Sequence, residues 1–315
     1  MSKILITGGA GFIGTNLTKR LLEDGHEVIS VDNFVIGKKE HTEIFLTNPK
    51  YHFIELDISD TDKFLEKFKN EKIDIIYHLA ANSDIQKGGQ NPQVDHRDTF
   101  QTTRSVLELM RQNDIKNLFF SSTSAIYGDV HGDRAAEDLG GLKPISYYGA
   151  AKYASENFIS AYAYMNDLHV MTFRFPNVIG PYLTHGVIYD FTKKLRDNPK
   201  QLEILGDGKQ TKPYIYVEDL IDVIVKMTKE IPSGMEIYNI GVDTATSVTT
   251  IADIVCQVLG CEGVVYKYTG GAVGWKGDVP KFQYNLTKIH NSGWIAKNTS
   301  DEAVRKTVEW VKENL

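Results

Sequence analysis

Tyr148 and Lys152 stand four residues apart in a stretch, Ser146 to Met165, whose pattern is helical, so their side chains share one helix face. A phenol with a pKa of about 10 is a poor base at neutral pH, and lowering it to about 7 takes about 4 kcal/mol of preferential stabilisation of the phenolate. An ammonium one turn away could supply part of that. Tyr147 has no such partner. Upstream, Phe120-Ser121-Ser122-Thr123-Ser124-Ala125 follows an apolar run, and Thr123, 25 residues before Tyr148, could hydrogen-bond the same substrate hydroxyl. In a chain with 16 tyrosines, an exposed helical pair is the alternative reading, and the motifs that precede the pair weigh against it.

The first of these is Thr7-Gly8-Gly9-Ala10-Gly11-Phe12-Ile13-Gly14, between an apolar run and a helical pattern. It satisfies Gly-x-Gly-x-x-Gly from Gly9 and Gly-x-x-Gly-x-x-Gly from Gly8. Glycines suit a tight turn that lets a pyrophosphate approach backbone N–H groups at a helix N-terminus. Asp32 follows Gly14 by 18 residues at the end of a second apolar run, where a carboxylate would accept both adenosine ribose hydroxyls and repel a 2′-phosphate. That favours NAD over NADP, a preference that Lys38 and Lys39 would weaken. A structural turn beside a surface aspartate is the bland alternative. If NAD is bound, its oxidised nicotinamide adds a second positive charge to the environment of Tyr148.

These residues need a scaffold, and the apolar runs describe one. Ile4 to Ile6, Val28 to Val31, His52 to Leu56, Ile73 to Leu79, Asn117 to Ser121 and His169 to Phe175 alternate with helical patterns such as Phe12, Leu17, Leu21 and Leu22. The alternation predicts an α/β fold: a doubly wound parallel sheet of the Rossmann type with a smaller, loop-rich α/β substrate lobe. Shorter elements follow Pro176, punctuated by Gly180-Pro181, Asn198-Pro199, Gly206-Asp207-Gly208 and Gly270-Gly271. Val217 to Lys229 and Glu236 to Ile240 read as an αβ pair returning to the sheet. The expected division is residues 1–174 plus about 213–241 for the NAD-binding domain, and about 175–212 and 242–315 for the substrate-binding lobe.

Composition narrows the function further. The 315 residues are 42% hydrophobic and 24% charged with 9 prolines, values of a globular chain with room for a large core. A net charge of -6 argues against nucleic acid as a partner. Cys256 and Cys261 match no zinc spacing, which argues against metal or disulfide chemistry. No apolar run is long enough for a membrane span, and Met1-Ser2-Lys3 leads directly into Ile4, so a cytoplasmic location without membrane association is expected.

Taken in order, Thr7-Gly8-x-x-Gly11-Phe12-Ile13-Gly14, Val31-Asp32-Asn33, Asp57-Ile58, His78-Leu79-Ala80-Ala81, Ser121-Ser122-Thr123, Tyr148-x-x-x-Lys152, Arg174-x-x-Asn177 and Gly206-Asp207-Gly208 resemble the extended short-chain dehydrogenase/reductase family, in its nucleotide-sugar epimerase and dehydrogenase group. The resemblance covers nearly the whole chain. It implies Tyr148, Lys152 and Thr123 as catalytic residues. It implies cofactor contacts from Gly8, Gly11, Phe12, Ile13, Gly14, Asp32 and Asn33, and from Asp57 and Ile58 at the adenine. Leu79, Ala80 and Ala81 would line the adenine pocket and its ribose; Ser121, Tyr148, Lys152 and Phe175 would complete the contacts. Thr123, Asn177, Val187 and Lys212 would touch substrate. His78, a lone histidine ending a strand, reads as structural, and Arg174 as either an ion-pair partner or a ligand.

Three departures bear on the reaction. Family 4,6-dehydratases carry an acidic pair after the catalytic threonine, whereas Ser124 and Ala125 follow Thr123, so dehydration lacks its general acid. The Gly-Asp-Gly-x-x-x-Arg-Asp segment ends here in Lys212-Pro213, a point charge in place of a bidentate guanidinium. The later Arg-Pro-Gly-Asp segment reads Trp275-Lys276-Gly277-Asp278. The resulting expectation is NAD-dependent oxidation at C4 of a nucleotide-diphosphate sugar by a 4-epimerase. A 4-dehydrogenase releasing a 4-keto sugar, from a GDP-linked hexose or heptose among others, is the alternative, and a non-catalytic NAD-binding regulator a distant one. A homodimer is expected through Val94 to Met110 and the Tyr148 helix. Their large apolar residues, Phe100, Val106, Leu107, Leu109 and Met110 on the first and Tyr153, Phe158, Ile159, Tyr162, Tyr164 and Met165 on the second, exceed what one face needs.

Overall fold

The computed structural model of the chain describes residues 1–130, 134–271, 279 and 281–315. Strands β1 (Lys3–Thr7), β2 (Glu27–Asp32), β3 (Tyr51–Glu55), β4 (Ile75–His78), β5 (Asn117–Thr123) and β6 (His169–Phe175) form one sheet with the strand Gly234–Asn239. The spatial order is β3-β2-β1-β4-β5-β6 and then Gly234–Asn239, and the pairs from β3 to β5 are parallel. Chain order runs outward from β1 to β3, then reverses to β4 on the other side of β1. The switch point lies between β1 and β4, which is where open α/β sheets bind ligands.

The strand sequences explain the burial. β1, β4 and β5 are buried along nearly their whole length because helices cover both faces of the sheet, and their centres are apolar: Ile4 to Ile6, Ile75 to Tyr77 and Leu118 to Phe120. On one face Leu5, Val31, Ile76, Leu118 and Phe120 pack with Val106, Met110 and Ile159 of the helices Thr102–Asn113 and Tyr147–Asn166. Burying side chains of this size contributes roughly 1.5–3 kcal/mol each. The Tyr147–Asn166 helix begins where Ser146 accepts a hydrogen bond from the Gly149 N–H at 3.1 Å, and it ends at Asp167, whose φ of 52° breaks the helix.

Two units compose the chain. The first holds residues 1–128, 141–174 and 224–238, the second 129–140, 175–223 and 239–315. Residues 213–223 therefore belong to the second unit rather than returning with the sheet, because Tyr214–Tyr216 pairs with Asn177–Ile179. Residues 129–140 lie there as well: Ala135 bridges to Tyr284 and donates to the Gln283 carbonyl at 3.0 Å. Within the second unit Gln201–Ile204 pairs with Val265–Tyr268, Thr211–Lys212 pairs with Thr246–Ser247, and the helices Val187–Asp197, Val248–Leu259 and Ser300–Asn314 pack together.

The stretch expected as one helix from Val94 to Met110 is broken into Pro92–Asp95, a π-helical segment His96–Gln101, and Thr102–Asn113. Of its large side chains, Val106, Leu107, Leu109 and Met110 are fully buried within the subunit. They serve its own core rather than a second stripe. No described helix is long and apolar enough to cross a membrane.

Candidate active site

Thr123 ends β5 at the ligand edge of the sheet, and its side chain accepts a hydrogen bond from the Ala125 N–H at 3.2 Å, opening the short turn Ser124–Tyr127. The Tyr147–Asn166 helix starts directly against that turn: a Cβ on Gly149 would lie 2.4 Å from the Ala125 carbonyl oxygen, so only glycine permits the approach. Tyr148 is carried beside the Thr123 side chain in this way. Burial pushes the phenol up to about 12; the Thr123 hydrogen bond lowers it and the Asp95 carboxylate raises it.

Lys152, one turn along, is 2% exposed. Its ammonium donates to the Ser121 carbonyl at 2.6 Å and lies 4.7 Å from the centre of the Phe120 ring. Burial pulls the Lys152 ammonium down to about 7, against the attraction of Glu156. Lys152 leans on the β5 backbone, and burial holds Tyr148 as a neutral phenol.

Glu156 continues the same helix face one turn beyond Lys152 and was not singled out from sequence, although the four-residue spacing from Tyr148 through Lys152 points to it. It is buried, accepts two bonds from Arg174 at 3.0 and 2.7 Å, and accepts another from the Ser122 hydroxyl. Arg174 also donates to the Tyr127 hydroxyl at 2.8 Å. Burial works against the Arg174 charge, but the Glu156 carboxylate more than offsets it and raises the guanidinium above its ordinary range. Of the two sequence readings for Arg174, the geometry selects the ion pair. It ties β5, the turn after it, β6 and the Tyr148 helix together. His78 is likewise structural: its ring nitrogens meet the Thr7 and Thr103 hydroxyls at 2.7 and 3.0 Å, and burial holds its pKa well below the usual value.

At the switch point the glycine turn forms a cradle. Gly8 has φ of 75°, and a Cβ there would meet the Ala80 nitrogen at 2.8 Å; a Cβ on Gly14 would meet the Gly8 carbonyl oxygen at 2.3 Å. Gly11 caps the helix Phe12–Glu23 with no side-chain bond, and no acidic residue lies in its first turn. Phe12 and Ile13 open that helix, so its first N–H groups remain available to an anion such as a pyrophosphate. Asp32 accepts from the Ala10 and Phe34 N–H groups at 3.0 and 2.9 Å, while burial raises its pKa. A Cβ on Gly37 would sit 2.8 Å from that carboxylate, so the glycine leaves room beside it. This donor set, with a carboxylate beside cleared backbone, fits an adenosine ribose and its pyrophosphate.

The remaining residues divide between the units. In the first, half-buried Asn33 accepts from the Val35 N–H at 3.1 Å and Asp57 from the Ser59 N–H at 2.9 Å. Ile58 is largely committed to the core, whereas Leu79, Ala80 and Ala81 are half-buried just past β4. Ser121 donates to the His78 carbonyl at 3.1 Å. In the second unit, Phe175 is buried at the end of β6, Asn177 is exposed at the start of a short strand, Val187 opens a helix, and Lys212 pairs opposite Thr246. Trp275, Lys276, Gly277 and Asp278 lie outside the described residues. Among the described residues, no cluster of three or more histidine, cysteine or acidic side chains is placed to hold a metal ion.

The profile of the NAD dependent epimerase/dehydratase family matches residues 4–241. The chain is 32% identical to a putative UDP-glucose 4-epimerase of Methanocaldococcus jannaschii, over 99% of each chain. It resembles the crystal structure of a UDP-galactose 4-epimerase with a TM-score of 0.87 and 36% identity, covering 99% of both chains. The UDP-glucose 4-epimerase of Thermus thermophilus in complex with NAD gives a TM-score of 0.87 at 28% identity, covering 99% of this chain and 100% of that one. With a family match that spans most of its length and takes in both the glycine turn and the tyrosine–lysine helix, the chain belongs to the NAD dependent epimerase/dehydratase family.

Proposed function

We propose that the protein is a nucleotide-sugar 4-epimerase, with Tyr148 as its base. The observation that carries this reading is the Tyr148 phenol set beside the Thr123 side chain at the end of β5, with the Lys152 ammonium buried one helical turn away. Thr123 orients the C4 hydroxyl of the sugar, and Tyr148 takes its proton. Bound NAD supplies a hydride acceptor and a positive nicotinamide ring. Lys152, buried one helical turn from the phenol, would hold the phenolate and the cofactor ribose. Burial alone keeps the phenol protonated at neutral pH, so those two positive charges are what would make it a base. Returning hydride to the opposite face of C4 then completes epimerisation.

Cofactor binding is assigned to Gly8, Gly11, Phe12, Ile13, Gly14, Asp32, Asn33, Asp57, Ile58, Leu79, Ala80, Ala81, Ser121, Tyr148, Lys152 and Phe175. Substrate contacts are assigned to Thr123, Asn177, Val187 and Lys212. The similar proteins named as UDP-glucose and UDP-galactose 4-epimerases support a nucleotide-diphosphate sugar as substrate. Ser124 and Ala125 after Thr123 weigh against dehydration, since neither can protonate a leaving hydroxyl. A panel of UDP-, GDP-, dTDP- and CDP-sugars followed by product NMR tests the reading. A C4 epimer without net redox change supports it; a released 4-keto sugar with accumulated NADH assigns the protein as a dehydrogenase instead.

A further inference from the structure

The chain has two cysteines, and both belong to one helix cap in the second unit. The helix Val248–Leu259 closes at Gly260, whose φ of 72° and ψ of 28° are left-handed. Gly260 donates its N–H to the Gln257 carbonyl at 3.2 Å, and Cys261 donates to the Cys256 carbonyl at 2.9 Å. These two bonds define a Schellman cap, the motif in which the side chain three positions back from the helix end meets the side chain two positions beyond it. Here those positions are Cys256 and Cys261. Both are free thiols, Cys256 buried and Cys261 half-buried. The spacing that matches no metal motif conceals the pair, because the chain reverses at Gly260.

We propose that Cys256 and Cys261 form a reversible thiol–disulfide pair that hydrogen peroxide closes. The more accessible Cys261 thiolate attacks the peroxide: an S–O bond forms, the O–O bond breaks, and water leaves after taking up a proton. Cys256 then attacks the sulfenic sulfur; the S–S bond forms, the S–O bond breaks, and the second thiol proton leaves with a second water. Two thiols are oxidised by two electrons and one peroxide is reduced to two waters. This order of attack follows the surroundings of Cys256, whose sulfur lies 3.5 Å from the Tyr266 hydroxyl and whose thiol is pushed up by burial. Closure turns that sulfur away from Tyr266, whose hydroxyl keeps its bond to Asp253 at 2.8 Å.

The test treats the full chain with a small excess of hydrogen peroxide, followed by intact mass measurement and peptide mapping. The expected product is monomeric in mass, lighter by about 2 Da for the two hydrogens lost, carries a 256–261 linkage, and returns to the dithiol with dithiothreitol. Cys256→Ser should stop at a Cys261 sulfenic acid captured by dimedone. Gly260→Ala should slow closure about tenfold, since a left-handed residue then carries a Cβ. Oxidation of the wild type to a sulfinic acid without linkage, or to a disulfide between chains, would overturn the proposal, and so would closure of Gly260→Ala at the wild-type rate.

Discussion

At the scale of single residues, the buried Lys152 ammonium links function to stability. Its pKa in the fold is about 7, below its ordinary 10.5, so between those values the unfolded chain binds more protons than the folded one. Stability attributable to Lys152 therefore rises as pH is raised across that window, and the burial penalty is present in full below about pH 7. Lys152→Met removes the titration. Urea unfolding at several pH values should show the variant's stability relative to wild type falling from pH 7 toward 10.5; a difference that does not change with pH would contradict this. Tyr148→Phe keeps the volume of the ring and removes the proton acceptor. It should leave folding and NAD binding nearly unchanged while lowering turnover by two or more powers of ten, about the usual value of a positioned base. Turnover within about threefold of wild type would exclude Tyr148 from that role.

Element by element, the β1–helix turn and Asp32 act as one device, since the Ala10 N–H that helps shape the turn is also a donor to the Asp32 carboxylate. Asp32→Ala should weaken NAD binding and narrow or reverse discrimination against NADP, because the carboxylate both bonds the ribose and repels a phosphate. An unchanged ratio of the two dissociation constants would refute the assignment. This device was legible in the sequence because glycines, strand and acid recur at fixed spacing along a continuous segment. The strands were legible for the same reason: buried parallel strands are written as unbroken apolar runs, as in Ile4 to Ile6. The Glu156–Arg174 pair was not, because Ser122 and Arg174 meet Glu156, and Tyr127 meets Arg174, only after β5, β6 and the helix have packed. The π-helical break at His96–Gln101 left no apolar period to detect, and Ala135 joins the second unit through partners more than 100 residues away, Asn239, Gln283 and Asn285.

For the whole molecule, the large apolar residues of the two helices divide sharply. Ile159 is buried and Tyr162 donates to Glu108 of the same subunit, whereas Phe158, Tyr164 and Met165 are 45%, 86% and 75% exposed. Phe158 stacks edge-on with Phe100 at 5.0 Å, which makes an apolar surface that a second copy would cover. We expect a homodimer through this face, with Phe158→Glu shifting sedimentation to a folded 35.4 kDa monomer; a wild type that sediments as a monomer at micromolar concentration would contradict it. In the proposed epimerisation one hydride leaves C4 and returns to its opposite face without leaving the site. Its most direct test supplies a nucleotide sugar deuterated at C4 and follows the product by NMR. The expected product is the C4 epimer with deuterium still at C4, with no accumulation of reduced cofactor and with this conversion lost in Tyr148→Phe. A 4-keto sugar released with stoichiometric deuterated NADH would contradict it.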